Sequence, residues 1–264
     1  MAGSNVARFT TMLRKEIKEH RWKAIAVWII LMAVVAGLPP MYPFLAEMGR
    51  GAGFKQQLQN LPEGFRTQFE VMLGSFESYA YSNLFKNLYQ LGMILVLSIG
   101  AGLVATELSL GTMGFLASKP ATRREILGAK LTAGALLVAG VVVTCDIAMW
   151  ASCRIWGRSL SLATLLAGSV PVYLGFMLAL VAGTILSIIV GDSWKAAGVL
   201  LGIAVILGVP GWIPGYQRFS VFHYMQATPV WLEGVFPWNS AIGMLVGILA
   251  LYALALVLFD RRDL

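Results

Sequence analysis

Few side chains in this sequence can do chemistry. Asp146 stands in the apolar run LLVAGVVVTCDIAMWASC, where an ionised carboxylate is costly and acids tend to mark a pathway or a paired site. Arg154, eight residues on, is a candidate partner near the outer surface. Asp146 therefore reads either as a pathway group or, by preference, as one half of a structural ion pair with Arg154 or a carboxylate already in the outer interface. Cys145 and Cys153 form no C-x-x-C pair and have no histidine beside them, so they carry no metal or redox argument. His20 lies in a basic N-terminal segment and His223 in a late loop. Zinc chemistry and a serine–histidine relay have little material to work with. No G-x-x-x-x-G-K-[ST] is present to cradle a nucleotide phosphate. We expect no catalytic residue, no metal ligand and no cofactor bound by this chain itself.

The second candidate is a mechanical one, ELSLGTMGFLASKPATRREILGAK at 107–130. Glu107 closes an apolar run, Gly111-Thr112 offers a break and a cap, and Met113 to Ala117 make an apolar turn that Pro120 stops. Thr122 stands three residues before Glu125, the spacing of a capping box, and opens the next apolar run. The pattern predicts a short helix with an apolar face at Met113, Phe115 and Leu116 and a cationic exit at Arg123 and Arg124. Such a rigid knob suits docking into a cleft of a soluble partner. A loop whose arginines anchor lipid headgroups accounts for the same residues equally well.

The elements that must hold these groups are membrane helices. The 264 residues are 58% hydrophobic and 12% charged, against about 25% charged in an ordinary soluble domain. The net charge of +7 does not point to nucleic acid, because the basic residues flank apolar runs and form no aromatic-interleaved patch. A polar lead longer than a signal peptide's, containing Glu16 and Glu19, makes the first apolar run a retained span. A spanning helix needs about 20 mainly apolar residues. Six segments qualify, approximately 24–45, 86–106, 126–151, 162–190, 196–215 and 238–259, with Pro39, Pro40, Pro210 and Pro214 weakening two of them.

An even number of spans places both termini on one side. Thirteen of the twenty lysines and arginines then fall on that side, which the positive-inside bias makes cytoplasmic, together with residues 107–125. Residues 5–23 carry an apolar stripe at Val6, Phe9, Leu13 and Ile17 and predict a helix lying in the inner headgroup layer. A second stripe, Phe65, Phe69, Leu73 and Phe76, lies in an outer loop at 46–85 that caps the bundle or rests on the outer leaflet. Glycines 92, 100 and 102 and glycines 168, 175 and 183 read as packing positions. No repeat or linker divides residues 1–264, which read as one all-α membrane domain.

The pattern E-x-x-x-G-T-x-x-x-L-x-x-x-P-x-x-R-x-E-I-x-x-x-K, carried by Glu107, Gly111-Thr112, Leu116, Pro120, Arg123, Glu125-Ile126 and Lys130, resembles the signature of type-2 permease subunits of ATP-binding-cassette (ABC) transporters. LRKEIKEHRW resembles that family's elbow helix, FSVFHYMQ its outer segment before the last span, and FDRRDL its basic C-terminal end. Gly114 departs from the larger or acidic residue usual there. The resemblance implies an exporter of the bacterial inner membrane with both termini cytoplasmic. A pair of six-span permeases, homodimeric or with a paralogue, would sit on two copies of a separate ATPase that handles ATP and magnesium. It makes the 107–125 stretch the coupling helix and Asp192, Trp194 and Lys195 a second ATPase contact. The residues alone also admit a stand-alone ion-coupled carrier or channel, although one intramembrane acid and no paired halves give it little support. An intramembrane enzyme lacks visible machinery.

Overall fold

The computed structural model describes residues 2–60, 63–112, 122–213 and 215–262, and among them the regular structure is entirely helical. The first helix, α1, runs from Ala2 to Arg50 without interruption and contains Pro39, Pro40 and Pro43. Two short helices follow, α2 (Ala52–Gln59) and α3 (Glu63–Gly74), then α4 (Phe76–Gly100) and a short α5 (Ala105–Ser109). Beyond the 113–121 segment come α6 (Arg123–Ile155), α7 (Leu162–Val190) and α8 (Ser193–Gly208). Two 3-10 turns and two five-residue helices, α9 (Val221–Met225) and α10 (Thr228–Leu232), lead to α11 (Trp238–Arg261).

Five of these helices, α1, α6, α7, α8 and α11, are long and apolar enough to cross a membrane. α4 has the length, but Asn83, Lys86, Asn87 and Gln90 interrupt its apolar content. The core helix is α7, which packs against α4, α6, α8 and α11. Of its most apolar window 61% is buried, against 11% for α8 and 17% for α11, so those two present broad apolar faces outward.

Helix approach is set by glycine where the prediction placed packing positions. A Cβ on Gly183 would lie 3.2 Å from the Cα of Gly100, and one on Gly100 would lie 3.0 Å from the Leu180 carbonyl. The backbones of α4 and α7 therefore touch directly. On the same pair, the Phe85 and Phe176 rings fill the spaces over Gly168 and Gly92.

Three expectations are corrected. The predicted interfacial helix at 5–23 is not separate from the first span, because α1 is continuous through both. Forty-nine residues rise about 74 Å, more than twice the roughly 30 Å hydrocarbon core. The hydrocarbon core therefore cannot hold all of α1. Proline is tolerated within such helices because lipid offers the backbone no better partner than the helix itself. The outer loop at 46–85 is mostly helix, with α1 entering it and α2, α3 and the first turns of α4 filling it. Within it, Phe69 is exposed while Leu73 and Phe76 are half-buried.

The third correction concerns the second apolar run, 86–106, which is not one helix. α4 begins ten residues earlier, at Phe76, and stops at Gly100; a turn over 101–104 separates it from α5. The broken backbone is satisfied from a neighbour. Ser187 of α7 accepts from the amides of Val104 at 3.0 Å and Ala105 at 2.7 Å, all three residues being buried.

Candidate functional site

α1 turns one face inward along its charged part, and that face is Met12, Glu16, His20 and Ala24, at helical spacing of four. Glu16 and His20 are each 2% exposed. α5 brings Glu107 to them, and the first turns of α6 bring Lys130. Lys130 Nζ lies 3.0 Å from Glu16 Oε1 and 2.9 Å from Glu107 Oε2 while being itself 2% exposed. Lys15 Nζ donates to Glu107 Oε1 at 2.6 Å and lies 3.6 Å from Glu16 and 3.8 Å from Glu19. Buried charges persist only when paired in this way.

The arrangement has a mechanical meaning. Glu107 is the root of the 107–125 stretch on one side and Lys130 is its root on the other. They contact each other and both are tied to α1. The ion pairs therefore join α1, α5 and α6 at the two ends of the stretch.

Could the carboxylates hold a metal instead? Oxygens of Glu16, Glu19 and Glu107 come within 4.8 Å of one another. The Lys15 and Lys130 ammonium groups already supply the cations among them. The geometry is that of an ion-pair network.

The other predicted residues at this end fall into place around it. Gly111, with φ of +67°, reverses the chain after α5, and the Thr112 amide donates to the Glu107 carbonyl at 3.0 Å. Thr122 and Glu125 form the predicted capping box. The Thr122 hydroxyl accepts from the Glu125 amide at 3.2 Å and Glu125 Oε2 accepts from the Thr122 amide at 2.8 Å. Arg123 points back into the chain, where one guanidinium nitrogen donates to the carbonyls of Phe259, Asp260 and Arg262 at 2.7–2.9 Å. It closes the C-terminus of α11, as basic groups do at helix ends. Arg124 stays outward, 3.8 Å from Asp260. Met113, Phe115, Leu116 and Pro120 lie outside the described residues.

The 191–195 turn belongs to the same end. Asp192 caps α8 by accepting from the Lys195 amide at 2.9 Å, and Thr106 and Ser193 hydroxyls meet at 3.0 Å. A Cβ on Gly191 would lie 2.8 Å from Arg262, at the end of α11. Trp194 projects from this turn and is 88% exposed. One end of the bundle therefore carries the charged part of α1, both roots of the 107–125 stretch, the 191–195 turn and the chain's C-terminal residues.

Asp146 and Arg154 are not brought together. Eight helical residues span about 12 Å of rise. Arg154 lies outward over the Trp150 ring at 5.3 Å. Asp146 is fully buried and accepts from the Ser169 hydroxyl of α7 at 2.9 Å, and its Oδ2 has no hydrogen-bond partner among the described residues. The expected ion pair is replaced by a carboxyl–hydroxyl bond between two core helices. His223 is half-buried against Tyr224, and burial holds its imidazole below the ordinary histidine range.

What the sequence reading missed is the network. The signal was present: Glu16 and His20 share a face with Met12 and Ala24, and polar residues on an otherwise inward stripe require partners. The apolar stripe at Phe9, Leu13 and Ile17 drew attention to the adjacent, half-buried face.

A chain whose described residues form only helices, five of them long and apolar enough to cross a membrane, and whose sequence has no nucleotide-binding loop is a multi-pass membrane protein. Its sequence from residue 10 to residue 264 matches the model of the ABC-2 family transporter proteins, and the chain belongs to that family. It is the membrane component of an ABC transporter, as the signature around Glu107 and Gly111-Thr112 implied. Searches of curated proteins and of solved structures returned no match.

Proposed function

We propose that the chain is the permease half of an ABC exporter, crossing the bacterial inner membrane six times with α4 as the sixth crossing and both termini in the cytoplasm. A second permease, a twin or a paralogue, completes the translocation path. Two copies of a separate ATPase bind ATP and magnesium and seat against the 107–125 stretch and the Asp192–Lys195 turn. This chain contributes force transmission and no catalytic step. The observation that carries the reading is the ion-pair network, in which Lys130 and Glu107 join both roots of the stretch to α1.

Nucleotide-driven closure of the ATPases would move the stretch. Because the ion pairs tie its roots to three helices, the bundle would move between two discrete arrangements, each favoured by one nucleotide state. The Ser187 bond across the broken end of α4 would carry the same displacement into the core helix α7.

The test replaces residues 111–120 with a glycine–serine linker of equal length and purifies the tagged chain from its native membrane. The intact chain should bring down an ATPase that possesses a phosphate-binding loop. The linker variant should insert normally but lose that partner, or retain it without ATP-dependent transport. Normal export by the linker variant contradicts the reading.

A further inference from the structure

Toward the end of the bundle opposite the ion-pair network, two cavities lie side by side. The first, of about 370 Å³, lies between the 218–224 segment and the first turns of α11. Arg218, Tyr224, Asn239 and Ser240 line it, and no carboxylate among the described residues does. Arg218 forms no ion pair among the described residues, and its guanidinium rests over the Phe219 ring at 5.0 Å. No side chain caps the start of α11, because Pro237 occupies that position. The second cavity, of about 150 Å³, runs between α4, α7, α8 and α11 beneath α9, with walls that include Leu97, Leu178, Ala182, Ala204, Leu207 and Phe222. Every residue lining it is apolar. Val221 lines both cavities, so the cationic space and the apolar one are neighbours on either side of that residue.

We infer that this pair of cavities binds one anionic phospholipid of the adjoining leaflet, its phosphate at Arg218 and the end of one acyl chain in the apolar slot. The charge decides the headgroup. The Tyr224 hydroxyl donates to the Arg218 carbonyl at 3.0 Å, so the Asn239 amide and the Ser240 hydroxyl are the donors beside the unpaired guanidinium; together they favour an anion, and an uncapped helix start adds further N–H donors. Water has nothing to bond inside the slot, and a cavity of about this volume accepts a benzene-sized hydrocarbon group. Hydrocarbon from the surrounding bilayer fills it without opening a void. The assignment requires only that the chain spans a membrane and is independent of ATPase coupling.

The test is native mass spectrometry of the purified full chain with dioleoyl phosphatidylglycerol or dioleoyl phosphatidylcholine as the probe. The unaltered protein should retain one phosphatidylglycerol in preference to phosphatidylcholine. Arg218→Gln should cut that preference about fivefold, the effect of one basic side chain at an anionic surface. Ala204→Phe should reduce retention of both lipids by filling the slot, and Ala182→Phe should do the same from the opposite wall. An unchanged preference in R218Q overturns the inference. So does unchanged retention in whichever filling variant keeps the helicity of the unaltered protein. Displacement of the lipid by millimolar inorganic phosphate overturns it too, since an anion site alone would then account for the binding.

Discussion

Replacing Lys130 by Met removes the cation on which two buried carboxylates converge. The side chain is 2% exposed, with Nζ 3.0 Å from Glu16 and 2.9 Å from Glu107. At an effective dielectric of about 20, each contact is worth roughly 5 kcal/mol of Coulomb attraction. Most of that offsets the cost of removing the charges from water, and the net loss when one partner of a buried pair is deleted is about 3–5 kcal/mol. Lys15 remains near both carboxylates but is half exposed and cannot replace an interior charge. At roughly 2–4 °C per kcal/mol for a chain of this order of size, the melting midpoint should fall by about 6–20 °C. A fluorescence thermal melt in detergent reads this directly, with exposed Lys18→Met as the control. The double variant Glu107→Gln, Lys130→Met removes one charge of each sign and should recover at least half of the loss. A K130M midpoint indistinguishable from that of K18M, or a double variant worse than K130M, would refute the network as a structural clamp.

Two further outcomes follow from the break after α4. Ser187→Ala orphans the buried Val104 and Ala105 amides. It should cost about 1–3 kcal/mol per donor and speed hydrogen exchange at those two amides selectively. Exchange that is unchanged there would show that the hydroxyl does not hold the break. Gly100→Ala sets a methyl against the Leu180 carbonyl of α7, whereas Gly140→Ala meets nothing within 4 Å. The first should destabilise by about 1–3 kcal/mol and the second by nothing measurable, both read as thermal midpoints.

The long apolar runs of α6, α7 and α11 and the Thr122–Glu125 capping box were legible because each depends on neighbours a few residues away. The glycines of α4 and α7 were legible as packing positions for the same reason, although which glycine faces which was not. The polar first half of α4 concealed its true start at Phe76, since Asn83 and Asn87 bond their own helix backbone and do not end it. The break at 101–104 depends on a serine 83 residues away from Val104. No local signal reports that. The ion-pair network joins three elements from distant parts of the chain, and the Asp146–Arg154 pairing failed because sequence spacing on one helix says nothing about Ser169 on the next. Arg123, expected to face a partner, is engaged by the end of α11 for a similar reason.

In the proposed transporter, the end of the bundle bearing the ion-pair network receives a separate ATPase. A photo-reactive amino acid placed in living cells at Thr112, at Trp194 and, as the opposite-end control, at Tyr216 tests it most directly. Adducts with a protein carrying a phosphate-binding loop should form from the first two positions and not from the third. Adducts to that protein from Tyr216 but not from Thr112 or Trp194, or no such protein at any position, would contradict it.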